Sequence, residues 1–129
     1  MSFITNFKTV IEADPSINAI VTGGIKYVHL PEDFDIKKNW LAWDFRIATQ
    51  EECMNSDIAF TTYALSITMT TTDSITLDTL SQLVLNYLQG YQDTHFFDIS
   101  LNNDSKITTL SKTANTYQDA FEFLVIYIP

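Results

Sequence analysis

Few residues of this 129-residue chain have the types and spacing that enzyme or metal chemistry requires. Cys53 is its single cysteine, and His29 and His95 are its two histidines. These residues stand far apart, and no two of them have the spacing of a metal-binding motif. A Cys53–His95 nucleophile pair is one alternative, but a lone cysteine with two scattered histidines is common in inert proteins. The sequence therefore predicts no catalytic residues, no metal and no cofactor.

Paired carboxylates could supply general acid–base catalysis, and the chain has two such pairs, Glu32-Asp33 and Glu51-Glu52. Both stand in polar stretches, where every carboxylate is hydrated and ionised and nothing singles out one acid as a proton donor. The three glycines are too few for a phosphate-binding loop. We therefore expect a protein that contacts other proteins rather than an enzyme.

The charge balance excludes two classes of partner. Sixteen acidic residues against seven basic ones give a formal net charge of −9, and no Lys or Arg occurs between Arg46 and Lys106. Such a surface cannot neutralise phosphates and release counterions, and an anionic membrane would repel it. The acidic stretch is either a solvated surface or a lining that faces a basic partner or passing DNA.

Length and composition predict one domain, residues 1–129, made in a cytoplasm. Hydrophobic residues make up 46% of the chain, which is enough for an ordinary core. The N-terminus has no signal-peptide pattern, and no apolar run reaches the ~20 residues that span a bilayer. A single cysteine also rules out an intrachain disulfide.

Hydrophobic periodicity predicts an α+β fold in the order α-β-β-β-α-β-β-β. The predicted sheet is mixed but antiparallel-dominated, with two main helices packed on it. A short extra helical turn capped by Ser16 follows Asp14-Pro15, and Gly90 is expected to end the second main helix. The predicted helices are residues 3–13 and 75–89, and the predicted strands are residues 25–30, 40–49, 59–71, 94–101, 106–112 and 117–129.

Two of these strands bear on oligomerisation. The 59–71 segment alternates apolar and Thr/Ser residues and contains no charge, so its edge would be poorly guarded against pairing with other chains. The 117–129 segment is apolar on both faces, which is typical of a central strand covered above and below. We therefore expect partner subunits at the sheet edges, and a helix or a neighbouring subunit on the second face of 117–129.

Four motifs in a fixed order carry a resemblance to a known family. The first helix leads through Ala13-Asp14-Pro15-Ser16-Ile17 to Ile25-Lys26-Tyr27-Val28-His29-Leu30-Pro31, and an aromatic strand, Trp40-Leu41-Ala42-Trp43-Asp44-Phe45, follows. A long alternating strand and the helix 75–89 come next, and the chain closes on the aromatic segment Tyr117–Tyr127. In this order and total length the chain resembles the tail-terminator, or tail-completion, proteins of long-tailed bacteriophages. It departs from them in its Thr content and in having Asn39 where a proline is typical.

The resemblance implies a structural virion protein that forms a ring, as a homohexamer, at the head-proximal end of the tail tube. That ring would end tube polymerisation and join the tail to the neck. The implied partners are its own copies, the tail-tube protein and a neck or connector protein. DNA would pass through the lumen without specific binding, and no membrane would be involved. The implied location is the tail and neck of the virion, after assembly in the host cytoplasm.

Polarity and position in loops predict three contact surfaces for those partners. They are the loops Glu32–Asn39 and Gln50–Asp57 and the turn Asn102–Ser105. The candidate interface residues are Glu32, Asp33, Asp35, Lys37, Lys38, Glu51, Glu52, Asp57, Asn102, Asn103 and Asp104.

Three alternatives stay open at the level of the sequence. The chain could be another neck or head-closure protein, or a subunit of the tail tube itself. From a different class, it could be an acidic inhibitor or DNA mimic that occupies a basic site on a host protein. A small enzyme using Cys53 and a histidine is the third.

Overall fold

Three helices and five strands make up the part of the chain that the computed structural model describes, residues 3–28, 37–52, 58–105 and 117–128. In chain order these elements are α1 (Phe3–Ile11), α2 (Pro15–Ile20), β1 (Gly24–Tyr27), β2 (Trp40–Glu52), β3 (Ile58–Thr71), α3 (Ser74–Leu88), β4 (Phe96–Ser105) and β5 (Tyr117–Tyr127).

The strands form one five-stranded sheet in the order β1-β2-β3-β5-β4. β1 runs parallel to β2, and every other neighbouring pair is antiparallel. The predicted α+β class with a mixed, antiparallel-dominated sheet is confirmed. The strand predicted at residues 106–112 lies outside the described residues.

The helix ends follow from local capping. Asp14 is the N-cap of α2, because its side chain accepts a hydrogen bond of 3.1 Å from the Ser16 backbone N–H. Ser16 was expected in that role, so the prediction was displaced by two residues. Asp73 caps α3 by accepting a 2.7 Å hydrogen bond from the Thr76 N–H. Gly90, with a φ of +78°, follows the last turn of α3, as expected for a helix stop.

The core lies between one face of the sheet and the helices. On α1, Phe3 packs on Tyr63 with ring centroids 4.2 Å apart, and Phe7 meets Trp43 edge-on at 4.9 Å. Aromatic pairs at such distances add stabilisation beyond the area they bury. From the sheet and from α3, the fully buried aliphatic residues include Leu41, Leu65, Ile67, Met69, Leu80, Val84, Leu88 and Val125.

β5 is a central strand, as its two apolar faces predicted. It pairs with β3 on one side and with β4 on the other. Phe123 and Val125 point into the core and are fully buried, while Leu124 and Ile126 on the opposite face are only partly buried. No helix of the described residues buries this second face, so a neighbouring subunit there stays a prediction.

The first three residues of one predicted loop, and the whole of the predicted turn, belong to strands; residues 53–57 of that loop lie outside the described residues. β2 continues to Glu52, so Gln50, Glu51 and Glu52 pair with β3 rather than forming a connection. β4 continues to Ser105, so the turn predicted at Asn102–Ser105 is wrong. Asn-Asn-Asp-Ser has turn propensity, but cross-strand pairing with β5 outweighs it, and the misfit is absorbed by a bulge between Leu101 and Asn103.

Candidate protein-interaction surfaces

The predicted interface residues lie in separate parts of the fold. Lys37 and Lys38 are exposed just before β2, whereas Glu51 and Glu52 stand at the far end of the same 13-residue strand. At ~3.3 Å per residue, the two pairs are roughly 40 Å apart along the strand. Four further candidates, Glu32, Asp33, Asp35 and Asp57, lie outside the described residues.

The third predicted surface belongs to β4, at the other side of the sheet. Asn102 is exposed at the bulge, and its side-chain amide donates a 3.0 Å hydrogen bond to the Glu122 carboxylate on β5. Asn103 and Asp104 pair with Glu122 and Phe121 within the strand ladder. The described candidates therefore occupy three places and do not form a single patch.

The outer edge of β4 is covered by the segment that follows α3. The Ile99 carbonyl accepts a 2.7 Å hydrogen bond from the Gly90 N–H, and the Leu101 N–H donates a 2.7 Å hydrogen bond to the Gln89 side chain. These bonds occupy backbone groups that would otherwise be free to pair with another chain. We call β4 from Phe96 to Leu101 the capped edge.

Asp93 holds this covering segment in place. Its carboxylate accepts hydrogen bonds from the backbone N–H groups of His95 (2.8 Å) and Phe96 (3.0 Å) and from the Tyr91 hydroxyl (3.0 Å). Partial burial acts to raise the pKa of Asp93, but these hydrogen bonds outweigh it and lower the pKa below its usual value. Burial and the neighbouring carboxylate raise the pKa of Tyr91 to about 12.

The opposite edge of the sheet is different, because β1 covers only the first part of β2. Gly24 to Tyr27 pair with Trp40 to Trp43, and a last hydrogen bond of 2.7 Å runs from the Val28 N–H to the Trp43 carbonyl. Beyond that point the described residues place a strand on only one side of β2, the side of β3. We call β2 from Phe45 to Glu52 the open edge.

Val28 directly follows the last residue of β1. Its φ is +76°, in the left-handed region, which is a strained conformation for a β-branched residue. Three large apolar side chains near this point are exposed: Ile47 by 61%, Val28 by 45% and Tyr27 by 41%. An unpaired strand beside exposed apolar side chains is a typical site for another protein strand to add.

The sequence placed the vulnerable edge on the wrong strand. β3 contains no charge, but it lies between β2 and β5 and is paired on both sides from Thr61 to Thr70. The real open edge is on β2, which the aromatic stretch from residue 40 predicted as a strand but not as an edge. The predicted segment 25–30 is much shorter than the strand that follows it. This difference in length could have indicated that part of the longer strand has no neighbour on that side.

One buried carboxylate was also missed. Asp119 on β5 is only 5% exposed, and its Oδ2 accepts a 3.1 Å hydrogen bond from the Ser81 hydroxyl on α3. Its Oδ1 is buried without a hydrogen-bond partner. Period-two alternation with Phe121 and Phe123 places position 119 on the core face, and that pattern could have identified it.

A cleft of about 290 Å³ lies between α1 and the segment after α3, and Asn6, Val10, Asp93 and His95 are among the residues that line it. The His95 ring stacks on Tyr127, and its Nδ1 donates to the Ile128 carbonyl at 3.1 Å. Cys53 lies outside the described residues.

Two further features are absent from the ranges that the structure describes. No group of three or more His, Cys, Asp or Glu side chains there is placed to hold a metal ion. None of the helices has the length and apolar character that crossing a bilayer requires.

Comparison with known proteins identifies a similar fold. No protein-family model matches the chain, and no curated protein matches it. Among solved structures, a chain from the "Virion of native gene transfer agent (GTA) particle" is similar, with a TM-score of 0.70. The likeness covers 95% of this chain and 91% of that chain at 11% sequence identity. At that identity it shows a shared fold.

Proposed function

We propose that this chain is a structural virion protein that acts as a tail terminator. It forms a ring, with six copies, at the head-proximal end of a phage tail tube, ends tube polymerisation and joins the tail to the neck. It has no enzymatic role. Its partners are its own copies, the tail-tube protein and a neck protein, and DNA passes through the ring.

The observation that carries this proposal is the fold likeness to a chain of a virion particle, which spans 95% of this chain. Because the likeness is end to end, it concerns the whole domain rather than a common supersecondary unit. The order of motifs in the sequence, which resembles that of tail terminators, supports the same proposal. The exposed apolar side chains of the described residues, such as Ile47 and Phe97, are also compatible with contacts to other proteins.

Charge also supports a lumen through which DNA moves. A net charge of −9 disfavours retention of phosphates on the ring surface. Not every acid serves that purpose: Asp73 caps α3 and Asp93 holds the segment after α3. The remaining acids of the basic-residue-free stretch are the candidates for a lining.

The function is tested by adding the purified protein to growing tail tubes and imaging the tube ends by electron microscopy. We expect a ring at one end of each tube and arrest of elongation. Long tubes made by the protein itself would instead identify a tube subunit. Binding to a connector without any effect on tubes would identify a neck protein. Failure to bind virion parts, together with tight binding to a basic host protein, would identify an inhibitor.

The predicted contact at the end of β2 has its own test. Reversing both charges, Glu51→Lys with Glu52→Lys, should lower tube capping roughly tenfold without unfolding the protein, because charge complementarity mainly sets encounter and specificity. The matched control is Asp78→Lys, which reverses an exposed charge on α3. Unchanged capping by the double variant would remove this contact from the proposal.

A further inference from the structure

We propose that the cleft between α1 and the segment after α3 binds one arginine or lysine side chain of a basic partner protein. This interaction surface does not involve the open edge, and the inference does not depend on the terminator function. Three observations carry it: a carboxylate with an acceptor position to spare, the negative end of α1 beside it, and apolar walls that suit the stem of a long side chain.

The cleft is large enough for such a side chain. Its volume is about 290 Å³, with one wall from α1 and the other from residues between Tyr91 and Phe96. For comparison, an engineered protein cavity of about 150 Å³ holds a benzene molecule. The cleft therefore has room for an aliphatic stem together with its charged end group.

Asp93 provides the negative charge inside the cleft. Its Oδ1 accepts hydrogen bonds from the His95 and Phe96 backbone N–H groups, and its Oδ2 accepts one from the Tyr91 hydroxyl. All three donors are uncharged, and a carboxylate has about four acceptor positions, so these bonds leave one on Oδ2. Partial burial acts to raise the pKa of Asp93, but the hydrogen bonds lower it, and the carboxylate is ionised at neutral pH.

The C-terminal end of α1 adds to the negative potential. Val10 lines the cleft in the last turn of α1, where the helix dipole is negative and favours a cation. The Tyr87 hydroxyl donates to the Val10 carbonyl at 2.7 Å. Burial raises the pKa of Tyr87, and the charges of Asp14 and Asp93 raise it further. Lys8, the only basic residue of α1, stands two positions before Val10 and so does not share its face.

The rest of the lining suits a long basic side chain rather than a metal ion. Val10, Ala13 and Phe96 present hydrocarbon, and Tyr91 and His95 present aromatic rings. Lysine and arginine lay their stems along apolar surface and can bind favourably to aromatic rings. A metal ion needs several ligand groups, and the described residues hold no cluster of that kind. An organic cation is therefore the occupant that fits.

A partner protein can deliver that cation. Thr9 and Ala13 line the cleft and are exposed, so a side chain can enter while the backbone of the partner stays on the surface of α1. The net charge of −9 attracts basic protein surfaces. A second copy of this chain carries the same negative charge, so a different and more basic protein is the better match.

Proton–nitrogen correlation NMR at neutral pH tests the site with a blocked Gly-Arg-Gly tripeptide, in the absence of tail tubes. The tripeptide should shift the amides of Ala13, His95 and Phe96 and saturate with a Kd on the order of millimolar. The same tripeptide with citrulline in place of arginine has nearly the same shape but no charge. It should bind about fivefold more weakly, the factor expected for an exposed ion pair. A Gly-Lys-Gly tripeptide should shift the same amides.

Two variants locate the binding, with circular dichroism as a check on folding. Asp93→Asn keeps an acceptor oxygen but removes the charge, so it should raise the Kd about fivefold, whereas Asp78→Asn on the exposed side of α3 should not change it. Thr9→Tyr fills the cleft from the exposed side of α1 and should abolish the shifts. Thr79→Tyr is its matched control, because each of the two threonine hydroxyls donates a 3.1 Å hydrogen bond to the carbonyl four residues earlier.

Several results would overturn the inference. They are equal binding of the arginine and citrulline tripeptides, shifts that survive both Asp93→Asn and Thr9→Tyr, and no shift at the highest soluble tripeptide concentration. Shifts of the same amides that grow with protein concentration alone would identify a second copy as the occupant. Binding of agmatine without binding of the tripeptide would identify a free organic cation. Tube capping is read in a separate assay, so either proposal can fail while the other stands.

Discussion

The two edges of the sheet differ in how far the described residues hydrogen-bond to their outward backbone groups. On β4, the segment after α3 folds back, and Gln89 and Gly90 occupy outward backbone groups of Leu101 and Ile99. On β2, the described residues place no strand beyond the Val28–Trp43 hydrogen bond, and the Phe45 N–H donates to the Asp44 carboxylate at 2.8 Å. Both edges carry a large apolar side chain of nearly equal exposure, Phe97 at 60% and Ile47 at 61%. The difference therefore lies in the backbone and not in apolarity.

That difference indicates which surface is available to a partner. A strand edge attracts another strand through its free N–H and C=O groups, and a covering segment that bonds to those groups removes that attraction. The capped edge satisfies its groups inside the chain and gains nothing from a partner there. The open edge gains hydrogen bonds whenever a strand is added. Variants that change the cover on either edge should therefore change self-association and stability in predictable directions.

The largest effect is expected where β1 begins to cover β2. A Cβ added at Gly23 would lie 2.3 to 2.7 Å from the Trp40 ring, which is nearly buried at the first position of β2. Gly23→Ala must displace that ring and loosen the pairing of Gly24 with Trp40. Overpacking of this kind should lower the free energy of unfolding by about 2–3 kcal/mol, measured by urea denaturation.

The matched control for that variant is Gly90→Ala. Nothing lies within 4 Å of a Cβ at Gly90, so only its φ of +78° opposes the substitution. We expect a loss of about 1 kcal/mol there, since a left-handed conformation costs an L-residue about that much. Equal losses at Gly23 and Gly90 would contradict the packing argument at Trp40.

The next effect is expected at the capped edge. Gln89→Ala removes the acceptor of the 2.7 Å hydrogen bond from the Leu101 N–H. The loss should be about 1 kcal/mol, the net worth of an ordinary hydrogen bond, and aggregation should increase because a second edge is partly uncovered. Urea denaturation and light scattering measure the two effects. Gln82→Ala makes the same change at an exposed position of α3 and should alter neither.

These edges also show what the sequence could predict and what it could not. Apolar–polar alternation identified β3 as a strand, and apolar residues on both faces identified β5 as a central strand. Both predictions worked because the period of the side chains reflects which face of a strand is buried. Periodicity does not record which strand lies beside which, so the charge-free β3 was taken for a vulnerable edge although it is central. A mixed sheet was predicted, but no local signal identified β1 and β2 as its parallel pair.

The candidate contact residues illustrate the same limit. Asn102 to Ser105 were assigned to a turn from composition, but pairing with β5 extends β4 through them. Glu51 and Glu52 were assigned to a loop, but they belong to β2 and mark the end of the open edge. The residue types show that these segments are polar or charged. Whether such a segment is a strand or a loop depends on its pairing with strands that are distant in the sequence, and the local sequence does not show that pairing.

A smaller effect is expected at Val28, where the open edge begins. Val28→Gly should raise the free energy of unfolding by about 0.5–1 kcal/mol, because relief of the left-handed strain exceeds the extra backbone entropy of glycine. Val28→Ala keeps the strain, so it should not stabilise the protein. A stabilising alanine would show that the side chain, and not the backbone, is the source of the strain. Thermal or urea denaturation at matched concentrations measures both.

The smallest effect is a pH dependence confined to the capped edge. Partial burial acts to raise the pKa of Asp93 above its usual value of 3.8. The hydrogen bonds that the Phe96 and His95 backbone N–H groups donate to the carboxylate outweigh burial, so the pKa is lowered. A lowered folded pKa means that the stabilisation is fully present above 3.8 and is lost as the pH falls through the lower folded value. Between about pH 5 and about pH 2, protection of the Leu101 amide from hydrogen exchange should therefore decrease more than that of the amides in β3.

Asp93→Asn provides the control for this dependence. The amide keeps an acceptor oxygen but cannot ionise, so protection of the Leu101 amide should become independent of pH in that range once intrinsic exchange rates are corrected. On the open edge, the Asp44 carboxylate accepts a 2.8 Å hydrogen bond from the Phe45 N–H, so the comparison is made at Ile47, two residues further along, whose amide should show no such step. A step of equal size at Ile47 would mean that acid loosens the whole sheet, and the two edges would then not be independently controlled.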